Sequence, residues 1–175
     1  TTRDTSIANF LGASTFSLDV MTKSQALELL TKTVEKPGKQ LKEEEIKSAK
    51  ALAKAVGYLP LALELAAAQV AKGSSWQVLI KDIKQEIARI KSFKDPGIRN
   101  ISDDEKFKKL SLQASLNLSI KRLEENDREC FAWLGVLPED ASITPKMTAT
   151  LWDMDERDAE ETLQYLRSQA LLLTG

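Results

Sequence analysis

The chain has no histidine and a single cysteine, Cys130. Without histidine, neither a Ser-His-Asp nor a Cys-His nucleophilic centre can be assembled. A zinc site would have to be built from carboxylates and one thiol, against the nitrogen and sulfur ligand sets that zinc usually takes. One cysteine makes no internal disulfide, which fits a reducing compartment, so the expected localisation is cytoplasmic. Neither sign of charge is in excess: 25 Lys and Arg face 26 Asp and Glu, a net of −1. The chain as a whole therefore has no electrostatic claim on nucleic acid or on an anionic membrane. The longest apolar run, Leu59 to Ala68 with Glu64 inside it, falls well short of the roughly 20 residues that cross a bilayer. No Gly-x-x-x-x-Gly-Lys phosphate loop occurs. No signal peptide is visible, but the chain opens without methionine, and its N-terminus is expected to lie upstream.

What is present is a series of helix patterns with clear punctuation. At 175 residues, 42% of them apolar and 29% charged, the chain can support one or two ordinary cores. It is organised around Gly57-Tyr58-Leu59-Pro60-Leu61-Ala62-Leu63. Gly57 can take the left-handed conformation that ends a helix. Pro60 forces Leu59 to be extended and suits the first turn of the next helix. The two together predict a stiff helix-to-helix corner with an apolar proline face. Leu61 to Val70 is apolar nearly all round, broken by Glu64 and Gln69, so the helix after Pro60 is expected at the centre of a bundle.

Around this centre, Thr22 to Gln25 reads as a capping box opening a helix that Pro37-Gly38 ends. Glu43 to Val56 carries a stripe of Ile46, Ala49, Leu52, Ala53 and Val56, and Trp76 to Ile90 carries another. Phe16, Leu18 and Val20 alternate with polar residues in a strand pattern. Phe93 to Glu105, with Pro96-Gly97, is the linker candidate. A helix from Phe107 to Leu123 follows, then one bearing Cys130 on its apolar face, where the thiol reads as core. Ile143 lies in a short extended stretch. Thr144-Pro145 caps a helix through Trp152, Asp155 caps the last helix, and Leu171 to Leu173 ends strand-like. That order is a winged-helix plan.

Thr1-Thr2-Arg3-Asp4, the Gly57 to Leu63 corner, Leu116-Asn117-Leu118-Ser119, Cys130-Phe131 and Leu137-Pro138-Glu139-Asp140 occur in this order along the chain. In that order and at these spacings the chain resembles the NB-ARC family of STAND signalling ATPases, starting partway into the family's nucleotide-binding domain. The resemblance implies a mainly α chain: residues 1–20 a C-terminal remnant of the nucleotide-binding domain with one strand of its sheet, 21–98 a helical bundle, and 99–175 a winged-helix domain. It implies ADP/ATP as the ligand, with Mg²⁺ in the parent protein and little affinity left in this stretch. Arg3 would sense the terminal phosphate through a bidentate guanidinium. Gly57, Leu59, Pro60 and Leu61 would meet the adenine. The implied partners are the nucleotide-binding domain and the C-terminal sensor repeats of the same protein, with self-association on activation, and neither nucleic acid nor membrane. No ATPase activity is expected of the chain alone, because positioning and charge stabilisation by the phosphate loop and Mg²⁺ carry nearly all of phosphoryl transfer. The parent is expected to be an ATPase switch. No metal-ligating or catalytic residue is assigned.

Two other readings stay open. The helix stripes also suit a helical interaction scaffold with no nucleotide role, in which the corner is helix punctuation only. A winged helix also suits a DNA-binding regulator. Its last helix region, however, carries Asp155, Glu156, Asp158, Glu160 and Glu161 against Arg157 and Arg167, the wrong sign for phosphate contacts.

Overall fold

The computed structural model describes residue 10 and residues 20–34, 41–92, 102–138 and 141–172. Arg3, residues 16–19 of the strand expected over Phe16 to Val20, the Pro37-Gly38 stop and most of the linker lie outside these, and the described Val20 is not in a strand. Eight α-helices are present among the described residues: α1 (Lys23–Val34), α2 (Glu43–Ala55), α3 (Pro60–Ala71), α4 (Trp76–Ser92), α5 (Asp103–Lys121), α6 (Glu125–Trp133), α7 (Pro145–Trp152) and α8 (Glu156–Ser168), with one 3₁₀ turn at Leu134–Val136. No strand occurs among them.

Local chemistry sets most boundaries. Before α1, the Gln25 amide nitrogen donates to Thr22 Oγ1 (3.3 Å) while the Thr22 nitrogen donates to Gln25 Oε1 (3.0 Å). This reciprocal pair satisfies two orphan donors at once. Thr144 and Asp155 accept from the amides of Met147 and Asp158 at the starts of α7 and α8. Three helices end in the same way. After α2, α3 and α8 the chain turns left-handed at Gly57, Gly73 and Ala170, with φ of 67°, 99° and 57°. The next amide reaches back five residues to a carbonyl of the last turn: Tyr58 to Ala53, Ser74 to Gln69, and Leu171 to Leu166. Ala170 occupies a position that favours glycine. Ala170→Gly is therefore expected to raise stability by about 1 kcal/mol by removing the Cβ penalty, read as a higher urea midpoint with an unchanged slope.

α3 is the hub, packed by α1, α5 and α4. Eight of its twelve residues are buried, including Ala62, Leu63, Leu65, Ala66 and Ala67 at 1% exposure or less. Its alanines let neighbouring helices approach closely. α1 also packs on α2, and α2 on α4.

The polar stretch before α5 differs from the expectation. Ser102 caps α5 by accepting from the Glu105 amide. Asp103, Asp104 and Glu105 form its acidic first turn, where the helix dipole favours carboxylates. Residues 102–105 are thus helix start, not linker. α5 packs on α3 and α4, with Leu110 and Ala114 in the same buried cluster as the α3 core. The first packing unit therefore reaches beyond residue 98, to the end of α5.

α6, α7 and α8 form a smaller group around Ala159, Leu163 and Leu166. Trp152 Nε1 donates to the Cys130 carbonyl at 2.9 Å and ties α7 to α6. Residues 141–144 are irregular, and Leu171 and Leu172 lie in bends. The extended segments expected at Ile143 and Leu171–Leu172 are not strands here, and Leu173 lies outside the described residues.

Polar side chains also reach the core. Gln69 Nε2 donates to Ser119 Oγ at 2.8 Å, joining α3 to α5. Glu86, only 5% exposed, accepts from Arg89, Asn117 (3.0 Å) and Lys121 (3.0 Å), joining α4 to α5. The Arg89 guanidinium, aided by Asn117 and Lys121, holds this carboxyl down to about 2 against the opposing effect of burial. No helix among the described residues is long and apolar enough to cross a membrane.

Candidate functional site

The corner between α2 and α3 is built from main-chain geometry. α2 ends at Ala55, and the amides of Gly57 and Tyr58 return to the carbonyls of Lys54 (3.2 Å) and Ala53 (3.1 Å). Gly57 and Tyr58 are both left-handed, with φ of 67° and 56°. Leu59 is then extended (φ −74°, ψ 125°), as a residue before proline must be. Pro60 is the first residue of α3, and no side chain caps that helix end or places an acid in its first turn. The start of α3 therefore presents the positive end of a helix dipole.

Gly57, Leu59, Pro60 and Leu61 meet on this one corner. Gly57 is buried, and a Cβ there would stand 3.3 Å from the Phe107 ring at the start of α5. Both its positive φ and this close approach favour glycine. Leu59 is half-buried, while Pro60 is exposed and Leu61 is 39% exposed. The corner thus offers an apolar step to solvent on a rigid support. Arg3 lies outside the described residues.

Sequence reasoning missed two participants. Tyr58 continues the left-handed turn, and nothing in a tyrosine signals that. Its carbonyl accepts the Met21 amide at 2.9 Å, which brings the chain preceding α1 directly against the corner. That pairing joins residues distant in sequence and has no local signature.

Among the described residues no group of three or more His, Cys, Asp or Glu could hold a metal ion. Cys130 is buried. Burial, with Asp127 and Glu129 nearby, pushes its thiol up. It is a core residue and a poor nucleophile.

No family model matches the chain. The chain is similar to the regulatory protein AfsR of Streptomyces griseus, 29% identical over 168 residues, which is 95% of this chain and 16% of that protein. It is similar to AfsR of Streptomyces coelicolor at 28% over 168 residues, 95% of this chain and 15% of that protein. Human apoptotic protease-activating factor 1 is 24% identical over 176 residues, 98% of this chain and 13% of that protein. In each case this chain corresponds to a minor part of a much longer protein.

Proposed function

We propose that this chain is part of an ADP/ATP-switched signalling regulator of the NB-ARC kind. In this reading the bundle α1–α5 supplies the adenine-side surface. The helices α6–α8 belong to a winged-helix unit that closes the nucleotide pocket. The observation that carries the reading is the α2–α3 corner. It is rigid, exposes Pro60 and Leu61, and holds the chain entering from upstream through Met21. An adenine needs a flat apolar face and a backbone edge, and the Pro60 ring and the main chain at Leu59 supply both. Similarity to a regulatory protein and to an apoptotic activating factor supports a regulatory role for the parent.

The remaining parts belong to the parent protein. Arg3 would read the terminal phosphate, and Mg²⁺ would come with the phosphate loop of an upstream domain. C-terminal sensor repeats would bias the switch, and the activated protein would self-associate in the cytoplasm. The acid-rich α8 argues against a DNA-binding role.

The test is Pro60→Ala in a chain extended upstream through the nucleotide-binding domain. Losing the ring contact, restoring an N–H and freeing Leu59 should weaken ADP binding by roughly tenfold. ADP affinity is read by calorimetry and the melting temperature is taken without nucleotide. An unchanged ADP affinity in a folded variant would reduce Pro60 to helix punctuation and favour the scaffold reading.

A further inference from the structure

A second feature runs along α3 from Glu64 to Lys72, with Lys72 about 18 Å from Pro60 at 1.5 Å per residue. A cleft of about 490 Å³ opens between α3 and the end of α8, bounded by Glu64, Ala68, Lys72, Arg167, Ser168 and Leu172 among others. That volume suits a small organic molecule. Its walls mix alanine and leucine surface with two cations.

Neither cation has a carboxylate partner among the described residues. Lys72 Nζ donates to Ser168 Oγ at 2.8 Å and stands 4.7 Å over the Tyr165 ring. Burial pushes its ammonium below the ordinary lysine range, the behaviour of a cation deprived of water without an anion in exchange. Arg167 Nε is shielded from solvent and has no acceptor among the described residues. Cations near helix C-termini often serve the last carbonyls. Here three such carbonyls in each helix are already occupied by backbone amides, at Ala68, Gln69 and Val70 of α3 and at Tyr165, Leu166 and Arg167 of α8. Among the described residues Lys72 thus has a neutral hydroxyl and a ring but no carboxylate, and Arg167 Nε has no acceptor.

We propose that this cleft binds a small molecule bearing a phosphate or carboxylate group, held between Lys72 and Arg167. Arg167 presents a planar fork suited to either group, and Lys72 adds a point charge with donors to spare. The alanines and Leu172 receive the apolar body of the ligand. Glu64, exposed at the rim, opposes an anion and sets how much negative charge the site accepts. Because Lys72 ends α3 and Arg167 belongs to α8, the ligand bridges the bundle to the C-terminal helix group. This site is separate from the Pro60 corner, and its existence does not depend on the nucleotide reading.

The experiment titrates the 175-residue chain with sodium phosphate and, separately, sodium succinate. Ionic strength is matched with sodium chloride, and the readouts are calorimetry and melting temperature. Saturable binding is expected for at least one of the two oxyanions. Phosphate alone would name a phosphate ester, and succinate alone a carboxylate. Lys72→Met and Arg167→Met should each weaken it about tenfold, the loss of one charge-assisted hydrogen bond. Glu64→Gln, an exposed change that leaves the fold intact, should tighten it severalfold and decides the matter if a methionine variant fails to fold. Pro60→Ala should leave it unchanged. The proposal is overturned if neither anion binds beyond the effect of chloride. It is equally overturned if Glu64→Gln and both methionine variants bind as the parent does, or if Pro60→Ala abolishes binding.

Discussion

Leu63→Ala is expected to destabilise the chain by about 3–4 kcal/mol, a large part of the 5–15 kcal/mol that holds a typical domain folded. Leu63 is fully buried in the middle of α3, and its own helix surrounds it with Ala62, Ala66 and Ala67. Small neighbours cannot swing into the void, so the cavity stays open and the cost lies toward the upper part of the usual range. Two positions earlier, Leu61 is 39% exposed. Leu61→Ala should cost only about 1 kcal/mol, because the side chain already meets water and its loss leaves no closed cavity. Urea unfolding followed by circular dichroism measures both. Equal costs at the two positions would mean that α3 is not the hub of the bundle.

Acid should loosen the bundle through Glu86. Its ordinary value of 4.5 falls to about 2 in the folded chain. A depressed carboxyl contributes stability above its unfolded value, and that stability is lost as pH falls through the folded one. The window therefore runs from about pH 4.5 down to about pH 2. A shift of this size corresponds to roughly 3 kcal/mol. Because Arg89 and Lys121 are half-exposed, solvent screening brings the expected contribution nearer 2 kcal/mol. Glu86→Gln should lose about this much at neutral pH, since it gives up the charge-assisted bonds to Arg89 and Lys121. It should also unfold with a flatter dependence on pH between 4.5 and 2. The same acid slope in the variant and the parent would assign that sensitivity to other carboxylates.

The elements legible in the sequence are those fixed within three or four residues. Thr22 with Gln25, Thr144 with Pro145, Asp155, and Gly57 with Pro60 were each readable because cap and turn chemistry is local. The central helix was readable because an element apolar on every side has nowhere to go but inward. Polarity alone does not reveal the start of α5. Ser102 followed by three acids looks like a loop when polarity is the guide, yet Ser-x-x-Glu is a helix-start pattern. Its assignment to the first bundle depends on Leu110 and Ala114 meeting α3 and α4, and no local signal carries that. Glu86 falls at helical spacing between Ile83 and Ile90, on the inward stripe of α4, so its burial was encoded. Its partners Asn117 and Lys121 were not, being more than thirty positions away. At the corner, the left-handed Gly57 and the extended Leu59 before Pro60 were readable from glycine and proline chemistry. The contribution of Met21 was invisible because it is made by main-chain atoms.

That last bond has a consequence for how the chain tolerates change. The corner grips the incoming segment through the Met21 amide and the Tyr58 carbonyl, groups that every residue except proline carries in full. Side chains at positions 21 and 58 can therefore drift with respect to this link, provided position 58 still accepts a left-handed turn. Proline at 21 is the one replacement that deletes the donor outright. A link of this type would persist between sequences with little in common at these positions. It would be found by asking where proline never appears, and not by asking which residues are shared.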